Sequence, residues 1–129
     1  MPSFGIIKAD TLTHSTAGSL ATNFVVEGSA KVWVNFDGTA SGAAARDSFN
    51  VASMTDGGTG LYTVTYTNSL GNVNYSTTGA AGENDDSGGN RSLGLRARAA
   101  GSQNLRGFRD GVSADDMAEM CIQITGDLA

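Results

Sequence analysis

The sequence predicts an all-β protein: an antiparallel β-sandwich or short barrel preceded by an extended N-terminal arm. The first observation is that apolar side chains recur with a period of two, which is the repeat of a strand with one buried face. The second is that 18 of the 129 residues are glycine, roughly twice the usual share of about 7%. Because glycine in a helix interior costs about 1 kcal/mol relative to alanine, this composition disfavours long helices and favours many turns.

The clearest alternation begins just after residue 30. The apolar positions of this predicted strand are Val32, Val34 and Phe36, and the positions on its opposite face are Lys31, Trp33 and Asn35. A large indole is seldom left in water without a reason. Trp33 is therefore expected beneath a loop or at a subunit interface, with stacking on a glycan as the third alternative.

A hairpin is predicted around residues 55–60, which read Thr-Asp-Gly-Gly-Thr-Gly. Alternating runs flank this segment, with Phe49 and Val51 before it and residues 62–66 after it. Asp-Gly between such runs is a strong hairpin signal, because the turn needs a positive φ. The additional glycines predict a loop longer than two residues.

Three weaker strands are predicted at residues 73–77, 92–99 and 120–124. In the second, strict alternation places Arg96 and Arg98 together on an outer face. These two arginines are expected to pair with acidic residues of neighbouring loops or subunits, and a direct role in holding a capsid or a receptor is the alternative. Residues 79–90 contain no aliphatic side chain larger than alanine, which predicts a mobile surface loop.

Residues 1–29 are expected to form the arm, and residues 30–129 the antiparallel β domain. The arm contains short β-prone pieces, Ile6-Ile7 and residues 20–26, joined by a polar stretch. Ordering a residue costs roughly 1–2 kcal/mol of backbone entropy, so the arm is expected to find a partner surface such as an open strand edge. The interface candidates are Ile6, Ile7, Phe24, Val26, Trp33, Arg96 and Arg98.

The net charge and the lengths of the apolar segments argue against nucleic acid and membrane as partners. The net charge is −5, so the chain lacks the overall basic footprint of nucleic-acid binders, although five arginines between residues 91 and 109 leave a local basic face open. No segment approaches the roughly 20 apolar residues that span a bilayer, and no signal peptide is expected, because the first residues lack a charged and an apolar region. Cys121 is the one cysteine, so no internal disulfide forms and we expect it to be a small buried side chain.

No catalytic, cofactor or metal site is predicted. His14 is the lone histidine and no nucleophile motif accompanies it, so we expect an exposed arm residue. The alternative is that symmetry brings several copies of His14 together around a metal. Glu83, Asp85 and Asp86 offer oxygen ligands, but their spacing departs from the EF-hand pattern and predicts a solvated loop. The chain is therefore not expected to be an enzyme.

Two runs carry a family resemblance. Residues 30–39 read AKVWVNFDGT, and residues 45–64 read ARDSFNVASMTDGGTGLYTV. Together they resemble a module of tail-fibre-like virion proteins from tailed phages, especially marine ones. The pattern of that module is a Lys-X-Trp-Val-Asn-Phe strand, a short loop with an arginine, and a hairpin that ends in Gly-X-Tyr-Thr-Val.

The resemblance implies a structural protein of the phage virion, made in the host cytoplasm. Its expected role is a tail-fibre, spike or tail-tip module that acts by assembly and surface recognition. The alternative is a capsid decoration, or cement, protein that clamps shell subunits. The implied partners are further copies of the chain in a homotrimer, other virion proteins and a host surface glycan, with no nucleic acid and no membrane insertion.

Overall fold

A computed structural model describes residues 8–84 and 89–129, so the interface candidates Ile6 and Ile7 lie outside the described residues. The strands are β1 (Thr11–His14), β2 (Gly18–Ala21), β3 (Ala30–Asp37), β4 (Ala44–Phe49), β5 (Val51–Asp56), β6 (Leu61–Tyr66), β7 (Ser76–Gly82), β8 (Arg91–Ala99), β9 (Ser102–Arg109), β10 (Ser113–Ala114) and β11 (Glu119–Thr125). The described part has one helix, α1 (Thr22–Gly28), of seven residues. The all-β prediction is confirmed.

The domain after residue 29 contains two antiparallel sheets. The four-stranded sheet has the order β4-β3-β11-β7. In the five-stranded sheet, β9 lies between β6 and β8, β5 pairs with the far side of β6, and β10 pairs with the last residues of β9. The strand pairing of the described residues does not close into a barrel.

The apolar faces of the two sheets form one shared core. The predicted alternation of β3 is confirmed, since Val32, Val34 and Phe36 are all buried. The Phe36 ring meets the Tyr62 ring of β6 edge to face, with the ring centroids 5.2 Å apart. Each large apolar side chain buried in this way contributes roughly 1.5–3 kcal/mol.

The predicted hairpin is confirmed as β5 and β6, joined by residues 57–60. Its loop is longer than two residues, as the glycines predicted. The Gly57 N–H donates to the Leu61 carbonyl oxygen over 2.8 Å, and the Leu61 N–H donates to the Gly58 carbonyl oxygen over 2.7 Å. Gly58 and Gly60 have φ values of 105° and 68°, a region that side chains disfavour.

Strand β7 corrects the prediction of a surface loop that began at residue 79. Residues 76–82 all pair with β11, so the strand starts later and runs further than the predicted 73–77. The small residues serve packing. A Cβ at Gly79 would lie 2.5 Å from the Cys121 carbonyl oxygen and 2.6 Å from Leu93 Cδ2, so a larger residue there would displace the neighbouring strand and side chains.

Strand β9 has no counterpart among the predicted strands, because a buried amide interrupts its apolar pattern. Gln103 is fully buried and its Nε2 donates to the carbonyl oxygens of Arg96 over 3.1 Å and of Ala97 over 3.4 Å. Both carbonyls belong to an irregularity in β8, where the register to β9 shifts between Leu95 and Arg98. The amide thus satisfies the backbone of a β-bulge.

The chain passes from one sheet to the other at Asn50, between β4 and β5. Its φ is 57°, which asparagine tolerates better than most residues. The Asn50 side-chain amide donates to the carbonyl oxygens of Lys31 and Asn68, each over 3.0 Å. The side-chain oxygen accepts the Asn68 N–H over 2.7 Å. One side chain therefore holds both the crossing and the segment after β6.

The segment ahead of the domain is more ordered than an extended arm. Strands β1 and β2 form a hairpin in which His14 pairs with Gly18, whose φ is 88°. Of the β-prone residues 20–26, only the first two are strand, and Phe24 and Val26 lie in α1. Residues 8–28 are called the N-terminal unit below.

The first strand of the domain pairs with its last one. Along β3 and β11, Met120 pairs with Phe36 and Thr125 pairs with Ala30. Because the two strands are antiparallel neighbours, the chain reaches the domain and leaves β11 at the same end of the four-stranded sheet.

The Asn50 crossing leads to a stability prediction. Asn50→Gly and Asn50→Ala both remove the side-chain hydrogen bonds, but only alanine brings a Cβ into the left-handed region. Asn50→Ala is expected to lower the free energy of unfolding by about 1 kcal/mol more than Asn50→Gly. Urea denaturation of both variants measures the difference, and an alanine variant as stable as the glycine variant would contradict this account.

A second prediction concerns alkaline pH. The Tyr62 hydroxyl donates to Asp116 Oδ1 over 2.8 Å. Burial first, and the Asp116 carboxylate second, raise the Tyr62 pKa above its ordinary value, and burial also raises the Tyr66 pKa. A raised folded pKa means that the unfolded chain releases its proton first. Stability should therefore fall as the pH rises above about 10.

The double variant Tyr62→Phe/Tyr66→Phe should lose less stability than the wild type between pH 9 and pH 11. At pH 7 it should be less stable by roughly 1.5–3 kcal/mol, because the hydrogen bond to a charged carboxylate is missing. Urea midpoints across this pH range test both statements. Parallel curves for the two proteins would refute the assignment of the alkaline loss to these hydroxyls.

Candidate functional site

The described interface candidates lie on separate surfaces. Phe24 and Val26 are on the N-terminal unit, Trp33 is on the outer face of the four-stranded sheet, and Arg96 and Arg98 are on β8 of the five-stranded sheet. The structure therefore does not bring these residues together into one site. Each surface has its own chemistry.

The N-terminal unit exposes five large apolar side chains. They are Leu12, Leu20, Phe24, Val25 and Val26, with exposed fractions of 48%, 46%, 65%, 41% and 61%. Leu12 and Leu20 are paired in register across the hairpin, so they share one face. The five side chains are together called the apolar N-terminal surface below, and large exposed apolar areas often mark interaction sites.

Lys31 ties the N-terminal unit to the domain. It lies at the start of β3, is only 6% exposed, and its Nζ donates to the carbonyl oxygen of Val26 and, over 2.8 Å, to that of Ser29. A cation is favourable at the C-terminal end of a helix. The lysine thus fixes the end of α1 against the first strand of the domain.

His14 is exposed, as expected, and shapes the β1–β2 turn. Its Nδ1 accepts the N–H groups of Thr16 over 3.2 Å and of Ala17 over 3.1 Å. These bonds place the ring proton on Nε2. The position of His14 at a hairpin tip explains why a histidine occurs in an otherwise small and polar stretch.

Trp33 faces outward from the four-stranded sheet, as its alternation predicted, and is half-buried. Strand register places it in a row across all four strands: Phe49, Trp33, Gln123 and Thr78. Trp33 also lines a groove of about 300 Å³ whose lining residues all belong to β3, β7 and β11. The groove lining includes no loop residue.

Two neighbours of Trp33 differ from the sequence analysis. Cys121 is exposed, and the prediction of a buried thiol is wrong because the buried positions of β11 are the even ones, Met120, Ile122 and Ile124. Phe49 is 55% exposed, because the sheet crossing at residue 50 interrupts the alternation between Phe49 and Val51. The sequence does not show that Phe49 and Val51 belong to different sheets, and this is why the exposure of Phe49 was not predicted.

Arg96 and Arg98 lie on opposite faces of β8, so the common basic face predicted for them is wrong. The bulge inserts one extra residue, and Arg98 consequently pairs with the buried Gln103. The Arg98 guanidinium lies 5.3 Å from the ring centroid of Tyr75 and donates to the Tyr75 carbonyl oxygen over 3.1 Å. Its observed partner is thus an aromatic residue of the core, whereas Arg96 faces outward.

Several other arginines form ion pairs. Arg91 Nε lies 3.0 Å from Glu83 Oε1, and Arg109 Nε lies 2.7 Å from Asp115 Oδ2. Glu83 is thereby engaged with a cation, while Asp85 and Asp86 lie outside the described residues.

At one edge of the four-stranded sheet, Arg46 reaches Asp37 and Glu119 at 3.5 Å and 3.1 Å. Its NH2 also donates to the Ala118 carbonyl oxygen over 2.6 Å. The Thr39 hydroxyl, which donates over 2.6 Å, and then Arg46 hold the pKa of Asp37 below its ordinary value. Arg46 therefore joins β4 to the start of β11.

In residues 8–84 and 89–129, no three histidine, cysteine or acidic side chains come close enough to hold a metal ion. The helix of this part is far too short to cross a membrane.

Comparisons with protein-family models, with curated proteins and with solved structures found no match.

The exposed outer face predicts the reactivity of Cys121. A thiol-specific chromogenic reagent should modify one thiol per chain in the native protein nearly as fast as in the denatured protein, because Cys121 is exposed. Cys121→Ser provides the blank. Slow modification that accelerates only in denaturant would show that this face is covered in solution.

Proposed function

We propose that this chain is a non-enzymatic structural protein of a tailed-phage virion, a tail-fibre, spike or tail-tip module that acts by assembly and surface recognition. It would be made in the host cytoplasm and would work in the particle beside other virion proteins. The run from Ala30 to Val64 supports the family, through its resemblance to tail-fibre-like proteins.

The apolar N-terminal surface is the observation that carries the assembly role. A stable monomer gains nothing by exposing Phe24 and Val26 at 65% and 61%, since each Å² of apolar surface left in water forgoes about 25 cal/mol. A second chain that covers these side chains recovers that energy. Lys31 holds the unit to β3, so the same contact would also position the whole domain.

A homotrimer is the assembly that we propose. Cyclic symmetry gives every copy the same contact and prevents open-ended growth. The open edges of the two sheets, at β4, β5, β7 and β8, offer surfaces that accept a neighbouring strand. The number three follows from the resemblance to fibre proteins.

A capsid decoration protein is the second candidate, and the outer face of the four-stranded sheet favours it. Phe49 and Trp33 lie side by side in one row of that open face, which suits a broad partner such as a shell. A density map of the intact particle separates the two candidates. Copies at the tail support the fibre module, and copies at capsid symmetry axes support the decoration protein.

The assembly role predicts a specific loss of self-association. The variant Phe24→Gln/Val26→Gln should run as a monomer under conditions in which the full-length wild type runs as an oligomer, because it removes the two most exposed side chains of the apolar N-terminal surface. Size-exclusion chromatography with light scattering measures the molar mass. Both side chains are exposed in the single chain, so its fold should be retained.

Val112→Gln is the matched control, since Val112 is 81% exposed and lies outside the N-terminal unit. It should leave the molar mass unchanged. A wild-type chain that stays monomeric at micromolar concentration would defeat the homo-oligomer, as would a double variant with the molar mass of the wild type.

A further inference from the structure

We propose that the outer face of the five-stranded sheet binds an oxyanion, and that the ligand is an acidic polysaccharide. The site, called the arginine groove below, has a volume of about 310 Å³. Its outward-facing side chains are Leu61, Thr63, Arg96, Asn104 and Arg106. The proposal rests on the surface-recognition role for the source of the ligand, but its chemistry follows from the groove alone.

Strand register explains why these side chains meet. On β9, Gln103 and Leu105 are buried, so the intervening Asn104 and the following Arg106 face outward. Asn104 pairs with Thr63 and Arg106 pairs with Leu61 of β6. On β8, Leu95 pairs with the buried Leu105, so the next residue, Arg96, faces outward and lines the same groove.

Arg106 is held in place before any ligand binds. Its guanidinium carbon lies 5.2 Å from the ring centroid of Phe108. Its Nε is buried and has no hydrogen-bond partner among the described residues. This nitrogen has lost its hydrogen bonds to water without gaining another acceptor, which costs free energy. Arg106 also lines the groove, where a bound oxyanion would accept charge-assisted hydrogen bonds from its guanidinium group, and such bonds are strong.

The charge around the groove favours an anion. The chain as a whole is acidic, with a net charge of −5, yet the groove lining contains two arginines and no carboxylate. By contrast, Arg46, Arg91 and Arg109 each lie against an acidic side chain. The arginine groove is thus a local positive site on an acidic protein.

The remaining groups favour a hydroxylated ligand. Thr63 Oγ1 and Asn104 Oδ1 lie 3.1 Å apart in a hydrogen bond, so the Asn104 amide is left to donate to a ligand. Leu61 adds an apolar edge. A volume of about 310 Å³ reaches the lower end of the range for organic ligands, roughly 300–1,000 Å³, and greatly exceeds one ion. Sugar units that carry carboxylate or sulfate groups present this combination.

Isothermal titration of the full-length protein tests the proposal with four probes: hyaluronate, dextran sulfate, neutral dextran and sodium sulfate. The two acidic polysaccharides should bind, and their affinity should fall with ionic strength. Neutral dextran should not bind, and sulfate ion should bind far more weakly than dextran sulfate. Comparison of the four probes distinguishes a site for an acidic glycan from a site for a free oxyanion.

The variants assign binding to the groove. Arg96→Gln and Arg106→Gln should each weaken binding about tenfold or more, the loss that follows from one hydrogen bond to a charged group. Arg109→Gln removes the same charge from the same strand outside the groove and should change the affinity less than about twofold. Arg106 is partly buried, so the exposed Arg96 gives the decisive variant if Arg106→Gln fails to fold.

Three results would overturn the proposal: no binding of either acidic polysaccharide, equal binding by the Arg96→Gln variant, or sulfate ion binding as tightly as dextran sulfate. A change of molar mass in Arg96→Gln would also overturn it, because the groove would then be a subunit contact. Light scattering reports assembly separately from titration. If the protein is a monomer and binds acidic polysaccharide through Arg96, the binding proposal stands and only the proposed homo-oligomer is refuted.

Discussion

Burial of two apolar sheet faces against each other is the interaction on which the rest of the structure depends. The chain has one cysteine, and that residue is exposed, so no internal cross-link assists the core. Contacts such as that between the Phe36 and Tyr62 rings must hold the sheets together. Since both inner faces are used for stability, recognition is left to the outer faces, the sheet edges and the N-terminal unit.

A single buried amide links this core to the surface chemistry. Gln103 donates to the two carbonyl oxygens of the β8 bulge, and an unpaired buried carbonyl would be costly. The bulge in turn sends Arg98 to Tyr75 and leaves Arg96 facing the arginine groove. A residue that touches no proposed ligand thus decides which of two similar arginines is free to bind one.

The sequence predicts those parts of the fold in which local pattern and tertiary contact agree. The alternation in β3 and the Asp-Gly turn of the β5–β6 hairpin each depend on a few consecutive residues, so the sequence predicts both. Only the first two residues of β7 fall in the predicted strand 73–77. The glycine at position 79 packs against Leu93 of the other sheet, a contact that the local pattern does not show. The sequence predicts that Arg96 and Trp33 face outward. The places of Arg106 and Phe49 beside them depend on the register between strands, which the pattern of a single segment does not contain.

The pairing of Ala30 with Thr125 has a consequence for how the domain can be carried. Paired residues of antiparallel neighbours lie about 5 Å apart at their Cα atoms. The start of β3 and the end of β11 are therefore close together in space. A host chain could accept the domain within a surface loop with little loop-closure entropy and without parting its own strands. Insertion of this kind would leave both outer faces and both grooves intact.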